Sequence, residues 1–240
     1  MIRLTEKVID VYVVGGQSNA MGNSGGVEPS GVYRQPNPNA YMVGREDFYD
    51  VEVDSFTLMD YDANPDSFVG HLFGAEPQIA LNYGINPVYF VKVTRGGSNL
   101  YDDWSSGSFL RNKMIETINY AKSHFKENNI KVRYIWYWNQ WEASGGANVI
   151  DYKRDYDGLI AEILDSTGID FSEHLIFKVN PNSSSYGATD RVTLQAQFQS
   201  IVDYKGKLII GDDLGFHDGI HYLPDAYNEI GSRIYNSVNP

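Results

Sequence analysis

The sequence predicts an α/β fold: a three-layer α/β/α sandwich in which helices cover both faces of a central, mostly parallel five-stranded sheet. Buried runs rich in β-branched and aromatic residues alternate along the chain with amphipathic segments of helical length. This alternation is typical of right-handed βαβ units. In addition, several strand runs end in glycines or polar side chains. In parallel sheets, reactive groups gather beyond the carboxyl ends of the strands, so these endings indicate where a site would lie.

Five strong strands are predicted from apolar runs bounded by turn residues. They cover 8–14, 87–94, 132–138, 175–179 and 208–210. Tyr41–Val43 predicts a further short strand between turns. The aromatic and acidic segment Phe48–Phe68 predicts an irregular surface loop, long enough to roof a site.

Helices are predicted where apolar residues recur every three or four positions. They cover 76–83, 109–127, a segment from about Tyr152 to Gly168, a segment around 194–202, and a final helix through Tyr227, Ile230 and Ile234. No internal repeat or long linker divides the chain, so we expect a single domain over residues 1–240.

Composition excludes several function classes. The chain has 240 residues and a formal net charge of −12, which disfavours nucleic acid as a partner. It has no cysteine, so disulfides and thiolate metal sites are excluded. No signal peptide or membrane span is recognisable, so we expect no membrane partner and a protein that is cytoplasmic or exported by other means. No feature favours a particular oligomeric state.

The first strand ends in a turn that could present a nucleophile. Gly15 and Gly16 are followed by Gln17, Ser18 and Asn19. Glycine permits a tight turn at the end of a sheet, and such a turn can hold the Ser18 hydroxyl at the sheet edge. The alternative is a plain strand-to-loop connection that happens to contain a serine.

A serine nucleophile needs a base, and His221 is the best candidate. It follows Asp218 by three positions in a loop before the last helix. Asp218 would accept the imidazole Nδ1–H, and Nε2 would take the Ser18 proton. The alternative is a local turn bond. Glu142 is a second candidate for the acid, although the sequence tie between Asp218 and His221 favours Asp218.

A metal site is the other interpretation of this loop. His217, Asp218 and His221 lie close in sequence to Asp212 and Asp213. However, Gly219 breaks the helix that would place two histidines on one face, and no His-Glu-x-x-His pattern is present. We therefore predict no metal site.

Acyl transfer also needs donors for the developing oxyanion. The candidates are the backbone N–H groups of Ser18 and of Gly97 or Gly96, and the side-chain NH₂ of Gln140. Gly96 and Gly97 end the 87–94 strand, and Gln140 ends the 132–138 strand. A plain turn and a satisfied polar group at a strand end are the respective alternatives.

Five blocks of the chain resemble, in order, those of the sialate O-acetylesterase-like group of SGNH hydrolases, which includes the acetylxylan esterases of carbohydrate esterase family 6. Gly16–Gly22 is similar to that group's Gly-Gln-Ser-Asn-Met, and Phe73–Glu76 to its Gly-Pro-Glu. Lys92–Leu100 with the later Trp104 is similar to Lys-x-x-x-Gly-Gly-Thr-x-Leu. The last two blocks, Trp138–Glu142 and Asp218–His221, are similar to Trp-x-Gln-Gly-Glu and Asp-Gly-x-His.

The resemblance implies a flavodoxin-like SGNH hydrolase fold and a cofactor-free serine esterase that removes acetyl groups from carbohydrate hydroxyls. By position, Ser18 would be the nucleophile, His221 the base and Asp218 its partner, with Ser18, Gly97 and Gln140 forming the oxyanion hole. Residues that would bind substrate or support the site are Gln17, Asn19, Gly96, Trp141, Glu142 and Arg95.

The most consequential departure is Trp141, which replaces the Gly of Gln-Gly-Glu and could reshape the acyl pocket or stack on a sugar. Other departures are Ala20 for Met, Ala75 for Pro, Ser98 for Thr, and Ala143-Ser144 for Ser-Asp. Two alternative functions stay open: a generic short-acyl esterase, and an inactive glycan-binding or structural module. Arg95 could meet a sialic acid carboxylate, although a surface charge or salt-bridge partner is the more common role.

Overall fold

The computed structural model describes residues 8–22, 37–47, 51–59, 73–140, 149–178, 180, 206–216 and 218–240. The strands are Ile9–Gly16 (β1), Asn37–Glu46 (β2), Val51–Met59 (β3), Val88–Thr94 (β4), Val132–Asn139 (β5), Glu173–Phe177 (β6) and Gly206–Ile209 (β7). The helices are Ser18–Met21 (α1), Glu76–Tyr83 (α2), Phe109–Glu127 (α3), Val149–Thr167 (α4) and Pro224–Val238 (α5).

The strands form one sheet in the order β3-β2-β4-β1-β5-β6-β7. Every neighbouring pair is parallel except β2 and β3, which are antiparallel. The predicted α/β class and mostly parallel sheet are therefore confirmed. The predicted strand count of five is wrong, because the sheet has seven strands.

The difference lies mainly at one edge of the sheet. The strand expected at Tyr41–Val43 is the centre of the longer β2, and the loop predicted over Phe48–Phe68 contains β3. An edge strand accommodates charge on its open side, and Glu52 and Asp54 of β3 are exposed. Because acidic residues are typical of surface loops, the alternating pattern of this strand was not recognised from the sequence.

The predicted helices over 76–83, 109–127 and the segment ending near Gly168 are confirmed, as is the final helix. The turn at Ser18 is more regular than expected, because it forms the short helix α1. The helix predicted around 194–202 lies outside the described residues. None of the described helices is long and apolar enough to cross a membrane.

The core has two halves, one on each face of the sheet. On one face, α3 and α4 pack on side chains such as Val11, Val13 and Trp138. On the other, α2 and α5 pack on side chains such as Tyr12 and Val14. Consecutive residues of β1 thus serve opposite faces, as expected of a strand buried on both sides.

Candidate active site

Three predicted site segments follow adjacent strands that end level with one another. β1 lies between β4 and β5, and Gly16 is in register with both Thr94 and Asn139. The ladder continues one step beyond the strands, since Arg95 N donates to Gly16 O at 3.2 Å and Gln17 N to Asn139 O at 3.1 Å. The segments after β1, β4 and β5 therefore meet where the parallel strands end, which we call the carboxyl edge of the sheet.

Ser18 is the first residue of α1 and is buried, with 7% of its surface exposed. We call residues 17–22 the nucleophile turn, after the role predicted for Ser18. Met21 N donates to Gln17 O at 2.8 Å, and Gly22 N to Ser18 O at 3.0 Å. The N–H of Ser18 lies in the first turn of a helix, where backbone donors have no intrahelical acceptor. Such a donor suits the oxyanion role predicted for it.

Asn19 connects the nucleophile turn to the loop before α5. Its Nδ2 donates to Ile220 O at 3.2 Å. Its Oδ1 accepts from Tyr222 N at 3.4 Å and from the Tyr227 hydroxyl at 3.1 Å. The fourth predicted segment, Asp218–His221, is thereby drawn to the same edge as the other three. Asn19 thus links the two segments, and its role in supporting the site stays a prediction.

Asp218 and His221 form a hydrogen-bonded pair. His221 Nδ1 lies 2.6 Å from Asp218 Oδ2, and Asp218 Oδ1 accepts from the backbone N–H groups of Ile220 at 2.9 Å and His221 at 2.8 Å. Partial burial would raise the pKa of Asp218, but the hydrogen bonds from His221 and Ile220 outweigh it and hold that pKa well below its ordinary value. Asp218 is therefore a carboxylate that can orient the ring and stabilise an imidazolium.

Gly97 occupies the left-handed region at φ +71° and is exposed. A Cβ built there would meet nothing within 4 Å, so the conformation rather than crowding favours glycine at this position. Space is thus open beside the Gly97 Cα, and the oxyanion role of its N–H stays a prediction.

Gln140 is fully buried at the end of β5 and connects two of the converging segments. Its Nε2 donates to Ser98 O at 2.7 Å, so part of its amide already holds the turn that contains Gly97. The Tyr152 hydroxyl lies 2.7 Å from Gln140 O and 3.1 Å from Gln140 Oε1. This arrangement gives Gln140 a positioning role in addition to the oxyanion role predicted from the sequence.

Tyr152 is a site-supporting residue that the sequence prediction missed. It accepts from Trp138 Nε1 at 3.2 Å while its hydroxyl contacts Gln140. Helical spacing identified Tyr152 only as a core residue of α4. The available signal was its phenolic oxygen, because a tyrosine buried on an apolar helix face normally needs a polar partner. Ser98 also makes a buried side-chain contact that the sequence did not indicate, because its Oγ accepts a hydrogen bond from Trp104 Nε1 at 3.2 Å.

Arg95 is paired with acidic side chains at the rim. Its Nη1 lies 3.1 Å from Asp103 Oδ1 and its Nε 3.7 Å from Asp47 Oδ2, and 44% of its side chain is exposed. These contacts correspond to the salt-bridge role considered for Arg95 rather than to an uncompensated cation awaiting a carboxylate.

Two of the three carboxylates considered for a metal site, Asp212 and Asp213, have cationic partners in the structure. Asp212 lies 2.5 Å from Lys178 Nζ, and Asp213 accepts two bonds from Arg233 at 2.8 and 2.7 Å. The Arg233 hydrogen bonds lower the pKa of Asp213 to about 2. Within the described ranges, no group of three or more potential metal-ligating side chains is present. Trp141, Glu142 and His217 lie outside the described residues.

The family described as "SASA: Carbohydrate esterase, sialic acid-specific acetylesterase" matches residues 8–239. The chain belongs to this carbohydrate esterase family. The family resemblance predicted from five short blocks is thereby confirmed, and the match covers both the nucleophile turn and the Asp218–His221 loop. None of the curated proteins compared matches the chain in sequence.

Solved structures similar to this chain share its fold. A protein from Arabidopsis thaliana has a TM-score of 0.69 at 16% identity, covering 96% of this chain and 98% of that chain. NanS has a TM-score of 0.67 at 11% identity, covering 98% of both chains. A carbohydrate acetylesterase from Xanthomonas citri has a TM-score of 0.65 at 16% identity, with 96% of this chain covered. This chain spans only 56% of the Xanthomonas protein.

Proposed function

We propose that the protein is a serine esterase that removes O-acetyl groups from carbohydrates through a Ser18-His221-Asp218 triad and an acetyl-enzyme. The observation that supports this proposal is the set of Asn19 hydrogen bonds, which we call the Asn19 bridge: they join the turn that bears Ser18 to Ile220 and Tyr222, on either side of His221. A nucleophile, an imidazole oriented by a carboxylate, and several backbone donors at one sheet edge are the parts that acyl transfer requires.

The chemistry follows from these parts. Ser18 Oγ attacks the acetyl carbonyl while His221 Nε2 takes the hydroxyl proton, and Asp218 keeps the Nδ1–H oriented. The tetrahedral oxyanion is stabilised by the N–H groups of Ser18 and Gly97 and by the Gln140 amide. Collapse breaks the ester C–O bond, and the sugar oxygen leaves with the proton from His221. Water, activated by the same imidazole, then releases acetate and regenerates Ser18.

Neutral acetylated glycans of the xylan type are the favoured substrates, ahead of acetylated sialic acid. Arg95, the cation considered as a partner for a sialic acid carboxylate, is already shared by Asp103 and Asp47. The chain also carries a formal charge of −12, which disfavours an anionic ligand unless a local cation compensates. Support for a sialic acid substrate comes instead from the name of the matching family.

The test compares wild type with Ser18→Ala on p-nitrophenyl acetate, acetylated xylan and O-acetylated sialic acid. If the triad acts as a unit, Ser18→Ala lowers kcat by about 10⁴-fold or more. Equal, background-level release of acetate by both proteins on all three substrates would overturn the proposal. That outcome, combined with glycan binding by the wild type, would instead favour a glycan-binding module on an esterase scaffold.

Substrate preference separates the carbohydrate esterase from a generic short-acyl esterase. Turnover of p-nitrophenyl acetate with no release of acetate from either glycan would favour the generic enzyme. We expect faster release of acetate from acetylated xylan than from O-acetylated sialic acid, because the charge of Arg95 is already paired with Asp103 and Asp47.

A further inference from the structure

Beneath the nucleophile turn lies a buried ion pair that the triad chemistry does not use. Lys92 of β4 and Glu76, the first residue of α2, face each other at 2.8 Å between Nζ and Oε1. Their side chains are 0% and 1% exposed. Removing two charges from water is costly, and a buried pair is maintained only where geometry and further hydrogen bonds compensate.

The pair is bonded at both ends to backbone that borders the nucleophile turn. Lys92 Nζ donates to Met21 O, the last carbonyl of α1, at 3.2 Å. Glu76 Oε2 accepts from Gly74 N at 2.6 Å. A continuous chain of polar contacts therefore runs from Gly74, through the two charged side chains, to the end of the helix that begins with Ser18.

The segment held by Glu76 packs directly against the end of the same turn. Gly22 has φ +98°, and a Cβ there would lie 2.2 Å from Phe73 O and 2.6 Å from Gly74 Cα. No side chain fits between the two backbones. A shift of the Phe73–Gly74 backbone would therefore displace Gly22, and with it the hydrogen bond from Gly22 N to Ser18 O.

Helix α1 has only four residues, from Ser18 to Met21. So short a helix is not stable through its own hydrogen bonds and depends on tertiary contacts. The ammonium group at its carboxyl end also compensates the partial negative charge of the terminal carbonyls. Lys92 thus supplies a contact that α1 cannot supply for itself.

We propose that Lys92 and Glu76 are positioning residues that fix the nucleophile turn and so hold Ser18 in its reactive orientation. The inference rests on the proposed esterase function for its kinetic consequences, but not for its structural one. Neither side chain contacts substrate in this proposal. Both act on Ser18 indirectly, through Met21, Gly22 and Gly74.

The kinetic test uses Lys92→Met and the milder Glu76→Gln, with Arg133→Met as the matched control. Arg133 forms the ion pair with Asp10 at the opposite edge of the sheet, so its loss also removes a charge pair without touching the turn. At a temperature where all variants are folded, the two site variants should lose about ten- to hundredfold in kcat with little change in KM. A fluorophosphonate probe should label Ser18 more slowly by a similar factor, and Arg133→Met should match wild type in both assays.

Hydrogen exchange tests the same inference without turnover. The Met21 and Gly22 amides, bonded to Gln17 O and Ser18 O, should exchange at least about tenfold faster in Lys92→Met and Glu76→Gln than in Arg133→Met. Unchanged exchange at these amides, or wild-type kcat in a folded Lys92→Met or Glu76→Gln protein, would overturn the positioning role. Faster exchange in a protein whose wild type has no esterase activity would instead retain the positioning role and refute the proposed function.

Discussion

A carboxylate in a hydrogen-bonded network lies at each end of the parallel strands, but the partners of the two carboxylates differ. We call the end where the strands begin the amino edge. At the amino edge, Asp10 accepts two bonds from Arg133 at 2.7 and 2.6 Å and a third from the Tyr83 hydroxyl. Tyr83 in turn contacts the Tyr12 hydroxyl at 3.1 Å and accepts from Asn239 at 3.3 Å. At the carboxyl edge, Asp218 accepts from two backbone N–H groups and lies against an imidazole.

The nature of the partner decides what each network can do. The hydrogen bond to Asp10 raises the pKa of Arg133, and burial together with Asp10 raises the pKa of Tyr83. The amino-edge partners therefore keep their protons at neutral pH, and this network can only stabilise. Imidazole is the side chain suited to exchanging a proton near neutral pH. The same carboxylate chemistry is thus structural at one edge and suited to catalysis at the other.

The sharpest way to separate the two edges is to neutralise each carboxylate without changing its size. Asp218→Asn should lower kcat by about 10³- to 10⁴-fold, because an amide facing Nδ1 favours the wrong imidazole tautomer. Asp10→Asn should leave kcat near wild type and lower the melting temperature instead. Steady-state kinetics and thermal unfolding on both variants check the contrast, and equal kinetic losses would contradict it.

A second comparison uses an asparagine from each edge. Asn19→Ala removes two hydrogen bonds to the loop that bears His221 and one to Tyr227 of α5, so kcat should fall about ten- to hundredfold. Asn239→Ala removes the hydrogen bond from the Asn239 side-chain amide to the Tyr83 hydroxyl at the other edge. This variant should leave kcat unchanged. If the two variants have the same kcat, Asn19 does not carry the alignment assigned to it.

A third comparison isolates the backbone donor at Gly97. Gly97 and Gly107 have φ of +71° and +75°, and a Cβ at either meets nothing within 4 Å. Alanine at each position should therefore cost a similar amount, about 1 kcal/mol of the free energy of unfolding. Only Gly97→Ala should also reduce kcat, by about tenfold, if its N–H stabilises the oxyanion. Urea unfolding and kinetics on the pair separate strain from catalysis.

The smallest expected effect is on acid stability. The pKa of Asp218 is lower in the folded protein than its ordinary value, so the unfolded chain binds the proton more readily. Its contribution to stability is fully present above the ordinary aspartate pKa of about 4 and is lost as the pH falls through the folded value. The stability difference between wild type and Asp218→Asn, measured by urea unfolding, should therefore shrink as the pH falls below about 4. A difference that stays constant would contradict this linkage.

Most of the central sheet was predictable because its strands are buried on both faces. Apolar runs such as 132–138 have no other plausible place, and the turns that follow them marked the site edge. Strand β3 was not predictable in the same way, since its exposed acidic residues resemble those of a surface loop. Edge strands are specified partly by the neighbour they pair with, here β2, and that neighbour is not evident from local sequence.

For the candidate site, the sequence indicated the segments that meet but not the contacts that connect them. Ser18, Asp218 and His221 carry recognisable chemistry, and their blocks identified the family. The bridging contacts of Asn19 and Lys92 join positions that are 201 and 71 residues apart in sequence, so no local pattern contains them. Lys92 in particular lies within a buried strand, where charged side chains are rare. The local sequence does not identify Glu76 as its partner.

The Asn19 bridge also has a consequence for when the site comes into being. Its partners Ile220, Tyr222 and Tyr227 follow it by 201, 203 and 208 positions. Contacts of such long range form late, and a chain made on the ribosome presents its amino-terminal segments first. Ser18 therefore leaves the ribosome about 200 residues before His221, its proposed general base. Esterase activity should begin only when α5 has left the ribosome and docked on the sheet.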